Sequence, residues 1–364
     1  MKTATSIPLH PIYFGEKERH FLTHSEFHIS TFTYSTGIAG LRIRNKVGEV
    51  EVLPFQGQQI WRATFFGRDL TMQSMFPEPR QTRKYLETYG AFLIHCGITG
   101  MGAPSPEDNH EIHGELPNAP FQSAELVFGH DSQGAFLSFT GKYQHTVAFN
   151  HNYVAQPTFT LREESGRIDV NMKVTNLKNS PMDLMYMAHI NFSPVSNGEI
   201  LDTVPSSADA LRVIHVFQDI YQSNNEYRKM IDGFKANPEL HRKFAPDGVI
   251  DPEVVFALKT MADDSGWASS MQIHPDGQAD FVRHRPDQFR NSLRWICRSG
   301  DQRALGLVLP STAEPSGYLA EKTKGNLLSL ASGASMSFQY ECGALTAQES
   351  NEMRVAIEKI RNDN

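Results

Sequence analysis

The sequence has few cysteines, no long apolar segment and no excess of positive charge. Its three cysteines, Cys96, Cys297 and Cys342, form no CxxC pair, so neither a disulfide framework nor a cysteine metal site is expected. No stretch approaches the roughly 18 consecutive apolar residues that indicate a membrane helix. The first 20 residues lack the apolar core of a secretory signal. We therefore expect a soluble, cytoplasmic protein with no membrane partner.

The net charge and the absence of several motifs argue against further classes of function. The chain carries 41 acidic and 34 basic side chains, a net charge of −7, whereas binding to nucleic acid needs a basic surface. The glycine-rich loops that bind nucleotides are absent, as is the GxSxG turn of many hydrolases. Histidine, in contrast, occurs 15 times. These features favour a polar small-molecule ligand and no nucleic-acid partner, and they leave the oligomeric state open.

Alternating apolar and polar residues, which are typical of β-strands, occur in both halves of the chain. In the clearest example, a turn at 164–166 separates two alternating runs within 159–176. The run at 182–192 follows, and we interpret it as the third strand of a β-meander. The sequence predicts an all-β fold, with a single domain over residues 1–364 that forms one large antiparallel β-sandwich.

Two segments have helical character and are predicted to be short peripheral helices. Residues 225–244 are rich in charged side chains with widely spaced apolar residues, which indicates a helical insertion between strands. At the C-terminus, Thr346 and Glu349 form a capping-box pattern. Apolar residues then recur at helical spacing, so we expect an amphipathic helix over 348–361.

A polar loop at 106–121 is the first candidate for a functional site. It holds His110 and His113 between prolines, and a rigid scaffold commonly presents ligand-binding groups on such loops. The two histidines are three residues apart, whereas the zinc motif HExxH needs four on a helix, so no metal is predicted. Gly114 permits a close backbone approach, which favours a ligand site over a merely solvated loop.

Two further groups of residues could carry chemistry. His189 lies in a strand-like run and shares a strand face with Met187 and Asn191, as a ligand-binding or a buried structural histidine would. Glu314 and Glu321 follow an apolar run that ends at position 310. A carboxylate beyond a buried strand can be partly desolvated, which would raise its pKa and make it a usable base. The alternative is that both are solvent-facing loop acids.

The order of these segments resembles that of a known family. The apolar run GAFLIHCG at 90–97 precedes IHGE at 112–115, and TN at 175–176 precedes LMYMAHINF at 184–192. Residues 331–342 end the pattern with a turn and a strand. Over about residues 40–345 the chain resembles the galactose-mutarotase-like superfamily, in particular its divergent bacterial aldose 1-epimerase-like branch, which is carried as a domain of unknown function.

The resemblance implies the β-sandwich of that superfamily and the activity of an aldose 1-epimerase (mutarotase), which interconverts the α and β anomers of a free monosaccharide by acid–base ring opening. The mechanism that it implies needs no cofactor, neither a metal nor an organic group. On the family pattern, His113 contacts the sugar hydroxyls and His189 is the general acid, with Asn191 beside it in the substrate site. The general base is a glutamate, either Glu314 or Glu321, and the match slightly favours Glu314.

The chain departs from the family pattern at two further positions. Glu115 replaces the second glycine after the histidine, and it is the next candidate for the base if neither later glutamate faces the site. The family arginine after the first strand is missing, and His95 is the nearest polar residue that could replace it as a substrate contact.

Two other functions remain open. A non-catalytic carbohydrate-binding protein on the same fold would lack a carboxylate facing His189. A related epimerase of phosphorylated sugars would need converging basic side chains, which only residues 283–294 could supply. The sugar itself, whether hexose, pentose or deoxypentose, is not specified by any residue.

Overall fold

The computed structural model describes residues 4–205, 207, 209–215, 218–246 and 248–362. The first eleven strands are β1 (Thr5–Leu9), β2 (Arg19–His24), β3 (Phe27–Thr33), β4 (Ala39–Arg44), β5 (Gly48–Val52), β6 (Ile60–Phe65), β7 (Arg68–Asp69), β8 (Leu93–Ile98), β9 (Ser123–Asp131), β10 (Gly134–Val147) and β11 (His151–Arg162). The later strands are β12 (Arg167–Asn176), β13 (Met182–Ile190), β14 (Glu199–Asp202), β15 (Leu211–His215), β16 (Ile250–Leu258), β17 (Ala268–Ile273), β18 (Ala279–His284), β19 (Ser292–Arg298), β20 (Arg303–Leu309), β21 (Leu328–Leu330) and β22 (Ser335–Leu345).

Helices are short and connect or flank the strands. The α-helices are α1 (Gln218–Ser223), α2 (Asn225–Ala236), α3 (Tyr318–Lys324) and α4 (Ala347–Asn362), and single 3₁₀ turns occur at Pro11–Tyr13, Tyr85–Glu87 and Pro238–Arg242. Among the described residues, no helix is both long enough and apolar enough to cross a membrane.

The strands form two large antiparallel sheets and a smaller one. The first sheet has the order β1-β9-β10-β11-β12-β22-β18-β17-β14. The second has the order β2-β3-β4-β5-β6-β8-β13-β21, with β7 paired to β6. The small sheet has the order β15-β16-β19-β20. Short turns join many of the neighbouring strands, which is the connection that antiparallel pairing allows.

The main core lies between the two large sheets. In β12, Ile168, Val170, Met172 and Val174 alternate with half-buried or exposed residues, so one face of the strand is apolar. These side chains join a cluster that contains residues of the second sheet, such as Leu41. The predicted all-β antiparallel sandwich is therefore confirmed, while its organisation as one domain stays a prediction.

The β-meander predicted at 159–192 is wrong in its third strand. β11 and β12 pair as expected, but β12 next pairs with β22, and β13 belongs to the second sheet between β8 and β21. The physical reason is the composition of β13, in which every residue except Asp183 is buried. A strand that is apolar on both faces belongs in the middle of a layered structure.

β13 and β8 separate the main core from a second apolar cluster. On one face, Ala188 and Ile190 pack into the main core. On the other, Met185 and Met187 join a cluster that includes Leu293 and Trp295 of the small sheet. The small sheet thus covers the second face of β13, and this is the face that carries His189.

Both predicted helical regions are confirmed, with adjusted ends. The segment 225–244 contains α2 and the 3₁₀ turn Pro238–Arg242, and the side chain of Asn224 caps α2 by accepting the backbone N–H groups of Glu226 and Tyr227. The C-terminal segment is α4. Its capping box is present, because Thr346 Oγ1 accepts the Glu349 N–H and Glu349 Oε2 accepts the Thr346 N–H at 3.0 Å.

Thr346→Ala should therefore lower the free energy of unfolding by about 1 kcal/mol, because it removes the side-chain half of the capping box. Denaturant unfolding followed by circular dichroism measures the change. Arg354→Ala on the exposed face of α4 is the matched control and should change stability by less than about 0.5 kcal/mol. Equal effects of the two substitutions would show that the cap does not stabilise the helix.

Candidate functional site

A cavity of about 360 Å³ lies between the second face of β13 and the small sheet. β16, β19 and β20 line one side, and the loops before β8 and after it line the other. Its volume is in the range of small-molecule sites, and like them it has mainly apolar walls with a few polar groups. The lining includes the aromatic residues Tyr85, Tyr89 and Trp295 and the polar residues His113, His189, Glu253 and Gln302.

The structure brings His113 and His189 together in this cavity. Their ring centroids are 5.5 Å apart, and the planes cross at 83°. His113 comes from the loop after β8, and His189 comes from β13. Aromatic rings surround the pair, with Tyr85 4.7 Å from His113 and Trp295 5.3 Å from His189 between centroids. Two imidazoles in one small cavity can exchange protons with a single bound ligand.

Asn191 determines how the imidazole of His189 is oriented. Its Nδ2 donates to the carbonyl of Ala91 at 2.9 Å, which directs its Oδ1 toward His189. His189 Nδ1 lies 2.6 Å from that oxygen and must carry the hydrogen, because an amide oxygen only accepts. In the neutral ring, Nε2 then holds the lone pair. Asn191 is thus a positioning residue, although the sequence predicted that it contacts the substrate.

His113 lies in a tightly packed segment of backbone. Its backbone has φ +59°, in the left-handed region that side-chain-bearing residues rarely adopt, and Gly114 follows with φ +82°. A Cβ at Gly114 would overlap the carbonyl oxygens of Gly97 and Gly100. The predicted close approach at Gly114 is therefore present. Nδ1 of His113 is buried without a hydrogen-bond partner, although part of the residue stays accessible.

Glu115 anchors the loop and is not directed at the cavity. Its carboxylate accepts the backbone N–H groups of Ile98 and Thr99 at 3.2 and 3.1 Å, and also the Tyr153 hydroxyl at 2.5 Å. This carboxylate replaces the second glycine of the family pattern and ties the loop to the end of β8. The geometry gives Glu115 a structural role, and Glu115 does not line the cavity.

Both cavity histidines are neutral at pH 7. Burial lowers the pKa of His113 to about 3, and the nearby His189 lowers it further in the same direction. Burial also lowers the pKa of His189 to about 4, opposed by its hydrogen bond with Asn191. Desolvation disfavours the charged form of an imidazole, so a proton on His189 needs a negative charge near it to be stable.

Glu253 is the carboxylate that lines the cavity among the described residues. It lies on β16 and shares a strand face with Val255, which also lines the cavity. Trp295 Nε1 donates to Glu253 Oε2 at 2.6 Å. The sequence offered one signal that pointed to it, an acidic residue two positions before Val255 at the start of an apolar run, but no family motif covers this strand.

Glu314 and Glu321 do not line the cavity. Glu314 pairs with Arg212 and accepts from Lys324 Nζ at 2.8 Å. Burial raises the pKa of Glu314, but these two cations outweigh burial and hold that pKa below its usual value. Glu321, fully buried, accepts from Lys324, from Asn326 and from the backbone N–H of Glu314. The two carboxylates are buried, as the sequence predicted, but their hydrogen bonds stabilise the turn that leads into α3.

His95 lies on the opposite face of the second sheet from His189. It pairs in register with Ala188, the neighbour of His189, and directly paired residues point to the same side. It is 2% exposed, and its Nδ1 lies 2.9 Å from the hydroxyl of Tyr186. The structure therefore does not bring the predicted substrate contact into the cavity.

The described residues contain no group of three or more His, Cys, Asp or Glu side chains with the arrangement of a metal site. The nearest sequence pattern, the HxxH of His110 and His113, is divided between two environments. His110 Nε2 accepts the backbone N–H of Tyr318 outside the cavity, whereas the His113 ring lies inside it.

Gly114→Ala should lower the free energy of unfolding by more than about 3 kcal/mol, because it adds backbone overlap to a left-handed conformation. Gly333→Ala is the matched control. Gly333 has φ +69° but open space around it, so its replacement should cost only about 1 kcal/mol. Denaturant unfolding of both variants measures the difference, and similar losses would contradict the packing described for the loop.

Stability should fall steeply as the pH drops below 6.5. Burial lowers the pKa of His95, His241 and His284 to about 3, and it also lowers the pKa of both cavity histidines. In the unfolded chain these groups take up a proton near pH 6.5, whereas the folded state does not until about pH 3 to 4. Their contribution is therefore complete above pH 6.5 and is lost as the pH falls toward 4, at about 1.4 kcal/mol per pH unit and histidine.

Urea unfolding at intervals between pH 5 and 7 measures that slope. His284→Gln, which removes one of these titrating groups, should make the slope less steep by about 1.4 kcal/mol per pH unit. An unchanged slope would show that His284 is not held neutral by burial.

Comparison with solved structures identifies the architecture. A candidate aldose 1-epimerase from Klebsiella pneumoniae superimposes with a TM-score of 0.84 at 16% identity, covering 100% of this chain and 97% of that one. A galactose mutarotase-like protein from Clostridium acetobutylicum gives 0.55 at 12% identity, with 88% and 98% covered, and one from Lactobacillus casei gives 0.53 at 13%, with 84% and 99% covered. At these identities the similarity establishes the fold, that of galactose mutarotase-like proteins.

Sequence comparison gives a family. A search of curated proteins returns no match. The family model described as "Domain of unknown function (DUF4432)" matches residues 35–344, which include the cavity and most of the three sheets. Because this match spans far more than half of the sequence, the chain belongs to the DUF4432 family.

Proposed function

We propose that the protein is an aldose 1-epimerase that interconverts the anomers of a free monosaccharide. The observation that carries the proposal is the pair of imidazoles in one cavity, with His189 held by Asn191 in a defined tautomer. Buried polar groups are normally hydrogen-bonded, so the unpartnered Nδ1 of His113 is suited to a ligand hydroxyl. The galactose mutarotase-like fold is consistent with a sugar ligand.

Anomer interconversion needs one group that takes the proton of the anomeric hydroxyl and another that gives a proton to the ring oxygen. The C1–O bond then opens, the C1–C2 bond rotates, and the ring closes on the other face with the two roles reversed. His189 is the group that we propose to exchange a proton with the ring oxygen, since an imidazole can both donate and accept. His113 would bind a neighbouring hydroxyl.

The charges around the cavity favour an unphosphorylated sugar. Neither arginine nor lysine occurs among the described residues that line it. In the basic segment at 283–294, Arg283 pairs with Glu341, and the buried Arg294 pairs with Asp202. A phosphorylated substrate would bring two negative charges into a mainly apolar wall with no cation to balance them.

Aromatic residues give the cavity a surface for the C–H face of a sugar. The rings of Tyr89 and Trp295 lie 6.0 Å apart and both border His189. We propose that the substrate packs against them while its hydroxyls meet the histidines. We also propose that the protein acts in the cytoplasm, where three buried free thiols stay reduced.

His189→Asn should reduce kcat by at least about 100-fold and leave the binding constant within a few-fold, because an acid acts mainly on the transition state. Saturation-exchange NMR on freshly dissolved anomers of hexoses, pentoses and deoxypentoses measures the rate, and calorimetry measures binding. His113→Asn should instead weaken binding. His110→Asn, three residues earlier and outside the cavity, is the matched control and should keep the wild-type rate.

Wild-type protein must accelerate equilibration of at least one sugar. Tight binding without acceleration of any would favour a carbohydrate-binding protein on the same fold. Full activity of His189→Asn would place the acid elsewhere.

A further inference from the structure

We infer that Glu253 is the general base of the proposed reaction and that Trp295 positions its carboxylate. This inference rests on the proposed function and names a residue that lies outside the segments matched to the mutarotase pattern. Four observations carry it, namely its place in the cavity, its contact with Trp295, the electrostatics of its neighbours and the position of the other glutamates outside the cavity.

Strand pairing directs Glu253 to the cavity. In the pairing of β16 with β19, Val255 lies opposite Trp295, and both side chains line the cavity. Glu253 lies two residues before Val255, beside the register shift between Ile250 and Val254, and it lines the same cavity. The Tyr227 hydroxyl donates to the backbone carbonyl of Glu253 at 3.3 Å, which ties this end of β16 to α2. Glu253 is half-buried, so its carboxylate is partly desolvated.

Trp295 connects the carboxylate with the imidazole. Its Nε1 donates to Glu253 Oε2 at 2.6 Å, and its ring lies 5.3 Å from the His189 ring at an angle of 72°. A single rigid side chain thus contacts both partners of the proposed acid–base pair. Catalytic groups need such support, because a small misplacement lowers the rate strongly.

Tyr89 does not compete with Glu253 for the role of base. Burial raises the pKa of Tyr89 well above its ordinary value, and the charge of Glu253 raises it further. Tyr89 therefore stays protonated and can donate hydrogen bonds, but it cannot serve as the base at neutral pH. A carboxylate in the same cavity also supplies the negative charge that stabilises a proton on His189.

The other candidate glutamates are held outside the cavity. Lys324 binds both Glu314 and Glu321, and Arg212 also pairs with Glu314. A carboxylate held by cations is a weak base, because the cations stabilise its charged form. Glu115 accepts the two backbone N–H groups at the end of β8. None of these three lines the cavity, whereas Glu253 does.

The proton steps balance with Glu253, His189 and one proton from solvent. Because Nε2 of His189 holds a lone pair in the ligand-free protein, it first takes up that proton in the substrate complex, where the negative charge of Glu253 stabilises the imidazolium. Glu253 takes the proton of the anomeric hydroxyl, whose oxygen forms the carbonyl at C1. The C1–O bond to the ring oxygen breaks, its electron pair stays on that oxygen, and the oxygen takes the proton of His189 Nε2. After rotation about C1–C2, the hydroxyl adds to the other face, its proton returns to His189, and the carbonyl oxygen takes the proton back from Glu253.

Glu253→Gln in the full-length protein should lower kcat at least about 100-fold and change KM by less than about threefold, since the amide keeps the shape but cannot take a proton. Anomer exchange by saturation-transfer NMR gives both constants. Glu87→Gln, an exposed glutamate in the 3₁₀ turn beside the cavity, is the matched control and should retain wild-type kcat. Glu253→Asp, which keeps the charge but shortens the side chain, should retain part of the activity and guards against a fold defect in the amide variant.

Trp295→Phe keeps an aromatic ring but removes the N–H donor. As expected for a positioning residue, it should lower kcat about tenfold or more with KM nearly unchanged. If the wild-type protein is active but Glu253→Gln keeps full activity, the assignment of the base is overturned and the proposed function stands. A loss in Glu314→Gln as large as that in Glu253→Gln would overturn the assignment in the same way. A wild-type protein that accelerates no anomer would instead refute the function itself.

Discussion

The hydrogen bond between Asn191 and His189 is the interaction on which the chemistry of the cavity depends. A main-chain carbonyl, that of Ala91, orients the Asn191 amide, and the amide oxygen then selects the tautomer of His189. Each step follows from the fact that an N–H donates and an oxygen accepts. Without these two hydrogen bonds, either nitrogen of the His189 ring could face the ligand. With it, Nε2 is the atom available for proton exchange.

The position of β13 explains why one strand can serve both the core and the site. Its residues are buried on both faces, one against the main core and the other against the small sheet. His189 thus lies in a desolvated environment that lowers its pKa. A low-dielectric wall strengthens the interaction between the imidazole and a nearby carboxylate, which makes the pair more effective than it would be in water.

The sequence predicted the parts of the site that belong to the shared pattern. The order of motifs pointed to His113 and His189, and Gly114 indicated a close backbone approach. The sequence predicts that β13 pairs with β12, because consecutive strands commonly pair. In the structure β22 occupies that position, and no local pattern indicates this long-range pairing. Glu253 was not predicted, since it reaches the cavity through the small sheet, whose packing on β13 is a long-range contact without a local signature.

The protonation state of the His189 ring is the property on which the proposed chemistry depends most, and ¹⁵N NMR of the histidine side chains tests it directly. Long-range ¹H–¹⁵N correlation at pH 7, with His189 assigned from the spectrum of His189→Asn, should show a neutral His189 protonated at Nδ1. Addition of a substrate anomer should shift its Nε2 resonance most. A ring protonated at Nε2, or an imidazolium at pH 7 in the ligand-free protein, would contradict the account.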